Sequence, residues 1–63
     1  MKRYVKEFAN ACIEKEKNQH HWNLKKVKAI NKTVVQCNNG LITEFEAVKI
    51  IVKIMEENHV DSN

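Results

Sequence analysis

The chain contains no proline and only one glycine, Gly40, among its 63 residues. Proline and glycine supply many of the tight turns that a β-rich fold requires, so their scarcity argues against such a fold. No apolar run is longer than three residues, as at 50–52, whereas a membrane-spanning helix needs about 20. These absences predict helices joined by short polar links, in a protein that does not enter a membrane.

Cysteine is also scarce, with Cys12 and Cys37 as the two examples. Two thiols make a thin disulfide framework, and residues 1–23 lack the continuous apolar segment of a secretory signal. We therefore expect reduced thiols in a cytoplasmic protein. We also expect a single domain over residues 1–63, with a disordered tail at 60–63. Because a chain this short builds only a thin core, association with another chain is favoured.

The two halves of the chain carry opposite net charges. Residues 1–32 hold nine Lys and Arg against three Glu, which gives +6. Residues 33–63 hold two Lys against five acidic residues, which gives −3. This asymmetry suits an anionic partner at the first half, or head-to-tail pairing of two chains.

Apolar residues at intervals of three and four predict two helices in the first part of the chain. The first helix covers about 2–17, and its periodic positions are Val5, Phe8, Ala9, Cys12 and Ile13. The second covers about 23–38, and its periodic positions are Leu24, Val27, Ile30, Val34, Cys37 and Leu41. The valines of this segment also suit strands, so the alternative fold is α-β-β-α with a hairpin in 24–37.

A well-marked turn separates the second helix from a third. Asn39 and Gly40 can take the left-handed conformation that ends a helix, and Thr43 with Glu46 forms the pattern of a capping box that begins one. The third helix is predicted over about 44–58. With so short a connection, the second and third helices should form an αα-hairpin in an all-α protein.

The run from Gly40 to Ala47, with hydrophobic residues at helical spacing before it, resembles the helical hairpin of the short C-terminal (SHOCT) domain. That hairpin has a Leu-rich helix, a Gly-x-Ile-Thr-Glu turn and a second helix; here Ile30 and Val34 stand in place of a Leu run. The chain is also similar to small helical proteins of phages and mobile elements of low-GC Gram-positive bacteria. The resemblance covers about 24–55 and implies an αα-hairpin with an interaction role, in the cytoplasm of a bacterium or of a phage-infected host.

No arrangement of residues predicts catalysis, a cofactor or a metal site. Four side chains have the chemistry of a Cys2His2 zinc site, but no two have the paired spacing that such sites use; they are Cys12, His20, His21 and Cys37. Three pairs of carboxylates are expected at helix ends or on polar faces; they are Glu14/Glu16, Glu44/Glu46 and Glu56/Glu57. We therefore expect a protein that is not an enzyme.

The third helix carries more apolar surface than a small bundle needs. Its apolar residues span roughly 220° of the circumference, whereas a little over ~100° is enough to cover one side of a core. If Phe45, Val48, Val52 and Met55 face the core, the remaining strip predicts a protein interface formed by Ala47, Ile50, Ile51 and Ile54. A helix packed centrally between the other two is the alternative. The interface favours a homodimer.

Three lysines of the second helix, Lys25, Lys28 and Lys32, fall within roughly 60° of one another. They are the candidate nucleic-acid site, assisted by Lys2, Arg3 and Lys6. Apart from Trp22 nearby, the stripe lacks the residues that read or stack on bases, so a solvated face is favoured. The sequence thus predicts a non-catalytic accessory or regulatory protein, of inhibitor or adaptor type, that binds itself and a further protein; nucleic-acid binding is the alternative.

Overall fold

The computed structural model describes residues 3–57 and contains three α-helices, α1 (Arg3–Lys17), α2 (Leu24–Asn38) and α3 (Glu44–Glu56). The predicted all-α fold is confirmed, and α2 and α3 form the predicted αα-hairpin. The strand alternative is wrong: residues 24–37 lie within one helix, because spacings of three and four let that segment bury one continuous face. The predicted helix ends at 2 and 58 and the tail at 60–63 lie outside the described residues.

Each helix packs against both of the others, so α3 does not lie centrally between α1 and α2. The inner residues follow the 4-3-4 spacing that is typical of facing positions in helical bundles. On α1 they are Val5, Ala9, Cys12 and Glu16; on α2, Lys26, Ile30, Thr33 and Cys37; on α3, Ala47, Ile51 and Ile54. Two of these eleven positions carry charge, and both lie at the same end of the bundle, where α1 ends and α2 begins.

The buried face of α2 is rotated from the predicted one. Leu24 and Leu41, at the limits of the predicted apolar set, are exposed, whereas Lys26 and Thr33 are buried. The hydroxyl of Thr33 donates a hydrogen bond of 2.9 Å to the carbonyl of Ala29 one turn earlier, so its burial leaves no donor unpaired.

Glu16 is completely buried at the C-terminal end of α1, although a solvated position was predicted. Its Oε2 accepts a hydrogen bond of 2.8 Å from the backbone N–H of Asn23, which closes the loop between α1 and α2. Asn23 in turn is the N-cap of α2, where its side-chain oxygen accepts from the N–H of Lys25 at 2.8 Å. The carboxylate of Glu16 therefore fixes where α2 begins.

The ammonium of Lys26 lies between Glu16 and the end of α3. Its Nζ is 3.6 Å from Glu16 Oε1 and donates a hydrogen bond of 3.0 Å to the carbonyl of Met55. Met55 lies in the last turn of α3, where carbonyls lack partners within the helix and the dipole favours a cation. This buried ion pair, Glu16–Lys26, connects all three helices at one end of the bundle.

The turn between α2 and α3 has the predicted chemistry. Gly40 has a φ of +81°, the N–H of Leu41 donates to Gln36 at 2.9 Å, and the N–H of Gly40 donates to Cys37 at 3.0 Å. These bonds form a Schellman motif that satisfies the last carbonyls of α2. The side chains of Thr43 and Glu46 then each accept the other's backbone N–H at 3.0 Å, which is the predicted capping box.

Replacing Lys26 with Met should remove about 3–5 kcal/mol of stability, because Glu16 is then left buried without a counter-charge. This is much of the stability that a chain of 63 residues is expected to have. The double variant Glu16→Gln/Lys26→Met should be more stable than Lys26→Met alone, since no isolated charge remains. Urea unfolding followed by circular dichroism measures these two variants and Glu16→Gln alone; a cost for the double variant equal to the sum of the two single-variant costs would show that the two side chains are not coupled.

Replacing Thr43 with Ala should cost about 1 kcal/mol, because the N–H of Glu46 loses the acceptor that caps α3. Thr43→Ser keeps the hydroxyl and is the matched control. The same unfolding measurement applies. Equal midpoints for the Ala and Ser variants would contradict a capping role for the hydroxyl.

Candidate interaction surface

The strip predicted as an interface on α3 is largely turned inward. Ala47 and Ile51 are completely buried among the helices of the same chain, and Ile54 packs against that core. Of the four predicted residues only Ile50 is exposed, at the edge of the strip. The placement of Ala47 and Ile51 at an interface is therefore wrong, because both α1 and α2 pack against this side of α3.

The surplus apolar surface of α3 lies on its opposite side. Phe45 is 71% exposed and Val52 is 40% exposed, although both were assigned to the core from the sequence. Together with Lys49 and Glu56 they form a line at spacings of four, three and four residues, and we call these four residues the outer face of α3. At about 100° per residue, its centre lies roughly 160° from that of the buried positions.

The outer face combines apolar groups with charges. The Nζ of Lys49 lies 5.3 Å from the centroid of the Phe45 ring, within the range of a cation–π contact. An open depression of about 350 Å³ runs along the face; its lining residues are Val48, Lys49, Val52, Lys53 and Glu56. Such a surface, with apolar and charged side chains alternating along its centre, combines the two kinds of group that protein interfaces use.

A second open depression lies beside the turn that precedes α3. Its volume is about 430 Å³, and its lining residues are Leu41, Ile42, Glu46, Lys49 and Ile50. Leu41 is 70% exposed at its rim. Both depressions are shallow grooves along α3 and neither forms an enclosed chamber around a titratable pair.

The three lysines of the candidate nucleic-acid site are all exposed on one side of α2. Residues 17–43 contain no acidic residue, and in the described part of the chain no carboxylate forms an ion pair with Lys25, Lys28 or Lys32. Trp22 lies in the preceding loop with Lys17 Nζ 5.5 Å from its ring. The fourth lysine of α2, Lys26, is the buried one and is unavailable to a ligand. Arg3 is paired with Glu7 at 3.6 Å, and Lys2 lies outside the described residues.

The structure does not bring the four possible zinc ligands together. Within residues 3–57, no three side chains of His, Cys, Asp or Glu are close enough to hold one metal ion. His20 and His21 meet edge to face, with ring centroids 4.3 Å apart. Burial raises the pKa of the Cys12 thiol despite the opposing effect of Lys15, so this sulfur is not activated as a nucleophile.

No family model, no curated protein and no solved structure matches this chain. Among the residues that the structure describes, no helix has the length and apolarity to cross a membrane. The candidate sites are therefore ranked on their geometry alone.

The sequence pattern contains a signal that distinguishes the inner and outer faces of α3. Both faces have intervals of four and three residues, but the inner one, Ala47, Ile51 and Ile54, is uncharged, whereas the outer one includes Lys49 and Glu56. Burial of uncharged side chains is the less costly choice. The width of the apolar arc on α3 does not by itself distinguish the two faces. For this reason the sequence pattern wrongly assigns Phe45 and Val52 to the core.

Proposed function

We propose that this protein is a non-catalytic protein-binding module whose interaction surface is the outer face of α3, and that this surface pairs with a second copy of the chain. The observation that carries the proposal is the exposure of Phe45 and Val52 on a face with the residue spacing of a helix-packing seam.

The energetic argument concerns the cost of leaving this surface in water. Full burial of a fully exposed Phe or Val side chain contributes roughly 1.5–3 kcal/mol, and a second chain would cover the exposed part of both side chains on each copy, which is the larger part of Phe45 and less than half of Val52. The monomer has a small core to begin with, whose completely buried apolar members are Val5, Ile30, Cys37, Ala47 and Ile51. Association is thus a substantial addition to the stability of each chain.

The shape of the grooves and the side chains around them support a binding role for the described part of the chain. The two grooves along α3 are open, no group of potential metal ligands is assembled there, and the Cys12 thiol is not activated. Catalysis requires a concave site with converging titratable groups, whereas these two grooves are open surfaces.

The broader role that we propose is that of a cytoplasmic accessory or regulatory protein, of inhibitor or adaptor type, carried by a phage or mobile element. It rests on the resemblance of residues 24–55 to SHOCT-like hairpins and small mobile-element proteins. A further protein partner would bind the part of the second groove that a dimer leaves exposed, around Leu41 and Ile50, since Glu46 and Lys49 of that groove border the dimer surface.

Nucleic-acid binding through Lys25, Lys28 and Lys32 is the second candidate function. One observation favours it, namely that the three exposed lysines lie in a segment of 27 residues, 17–43, that has no acidic residue. Phosphate contacts from such a stripe are sensitive to salt and carry little sequence information. We rank it second because the stripe offers no side chain suited to reading bases and only Trp22 for stacking.

Replacing Val52 with Glu should convert a self-associating wild type into a monomer, because the carboxylate would enter the interface without a partner. Sedimentation equilibrium measures the change. Val35→Glu is the matched control, since Val35 is an exposed valine of α2 outside the proposed surface. We expect Val35→Glu to associate like the wild type, and thermal unfolding to depend on concentration in these two proteins alone.

A wild type of monomer mass at high concentration would remove the self-association proposal. A Val52→Glu variant that associates like the wild type would show that the surface is not on the outer face of α3, and dissociation by both Val52→Glu and Val35→Glu would show that it is not confined to that face.

Binding to labelled DNA or RNA should weaken no more in the triple variant Lys25→Gln/Lys28→Gln/Lys32→Gln than in a variant with three other lysines replaced by Gln. The control triple, Lys6, Lys15 and Lys17, removes the same charge from α1 and leaves the outer face of α3 unchanged. Fluorescence anisotropy at low and at physiological salt measures both. Equal losses indicate non-specific charge attraction; a loss confined to the α2 triple would make nucleic-acid binding the leading function.

A further inference from the structure

We infer that two copies of the chain pair through α3 in antiparallel orientation, with Lys49 of one copy opposite Val52 of the other. The inference rests on the proposed function, which supplies the outer face, and adds the orientation and register of the partner. It follows from the order of charged and apolar residues on this helix.

Along the outer face the residues alternate in character: Phe45 is apolar, Lys49 basic, Val52 apolar and Glu56 acidic. In a parallel pair equal positions meet, so Lys49 would face Lys49 and Glu56 would face Glu56. In an antiparallel pair centred between 50 and 51, each charged position meets an apolar one, and Lys49 lies one turn from Glu56 of the second copy. Charge complementarity therefore selects the antiparallel pair.

The residues on the two sides of the outer face also favour the antiparallel orientation. On one side lie Glu46, near the start of α3, and Lys53, two turns later, both exposed. Antiparallel pairing brings each Glu46 within two residues, about 3 Å along the axis, of Lys53 in the other copy. Parallel pairing instead places the Glu46–Lys53 side of one copy against the Val48–Met55 side of the other, so these ion pairs do not form. Two ion pairs thus flank the apolar contacts in one orientation only.

The other side of the face is apolar. Val48 and Met55 are both half-buried, and each exposes the part of its side chain that α1 and α2 leave uncovered. In the antiparallel register Val48 lies within two residues of Met55 in the second copy. In the antiparallel dimer the two apolar sides therefore meet each other, and the two charged sides meet each other. The same surface of each chain is thus complementary to itself, as a two-fold dimer requires.

Thiol cross-linking distinguishes the two orientations. In the antiparallel register, position 56 lies opposite position 45 of the partner, and each lies about 16 Å along the axis from its own equivalent, at about 1.5 Å per residue. The proteins are Phe45→Cys and Glu56→Cys, each alone and mixed, in a Cys12→Ala background that leaves the buried Cys37 as the native thiol. The probe is a thiol-reactive cross-linker that is long enough to span one helical turn and too short to span three.

We expect covalent dimer in the mixture and none with either protein alone. Covalent dimer with each protein alone would establish parallel pairing and overturn the inference. No product in the mixture, although Phe45→Cys and Glu56→Cys each sediment as a dimer, would also overturn it while leaving self-association intact. A monomeric Cys12→Ala chain and a monomeric wild type would overturn the proposed function and the inference together.

Lys53→Glu gives an independent measure, because it places two carboxylates beside each other at both ends of the antiparallel pair. We expect the dimer dissociation constant to rise at least tenfold and the increase to shrink in high salt. Lys28→Glu, an equal charge change on α2, is the control and should leave dimerisation unchanged. Equal effects of the two variants would overturn the charge-based orientation.

Discussion

The buried ion pair between Glu16 and Lys26 is the interaction on which the arrangement of the three helices depends. Glu16 Oε2 accepts the N–H of Asn23, and Lys26 Nζ donates to the carbonyl of Met55. One charge thus closes the α1–α2 loop, and the other caps the end of α3. Removing either partner leaves a buried charge, so the pair makes alternative packings of these short helices costly without necessarily adding net stability.

Fixing the helices in this way decides which surfaces remain available. With the inner side of α3 covered by α1 and α2, its exposed apolar groups are Phe45 and Val52 on the outer face and Ile50 at the other edge. The same pair removes Lys26 from the surface of α2 and leaves Lys25, Lys28 and Lys32 in water. Both candidate binding surfaces are consequences of the packing at this one end of the bundle.

The helices and their connections could be predicted because the signals are local. Spacings of three and four set the periodic faces, Gly40 ends α2 at a φ of +81°, and the Thr43–Glu46 box starts α3 within its own first turn. The candidate site could not be predicted in the same way. Sequence periodicity identifies a wide apolar arc on α3 but not its inward direction, because that depends on where α1 and α2 approach.

The sequence by itself therefore determined an all-α hairpin with its boundaries, its caps and a surplus of apolar surface on the third helix. Tertiary structure alone decided that Ala47 and Ile51 are core residues, that Phe45 and Val52 face solvent, and that Glu16 and Lys26 are buried partners. The physical reason is the distance along the chain over which each interaction acts. Capping and helical periodicity act within a few residues of chain, whereas burial and charge pairing depend on side chains that only the packing of three separate helices brings together.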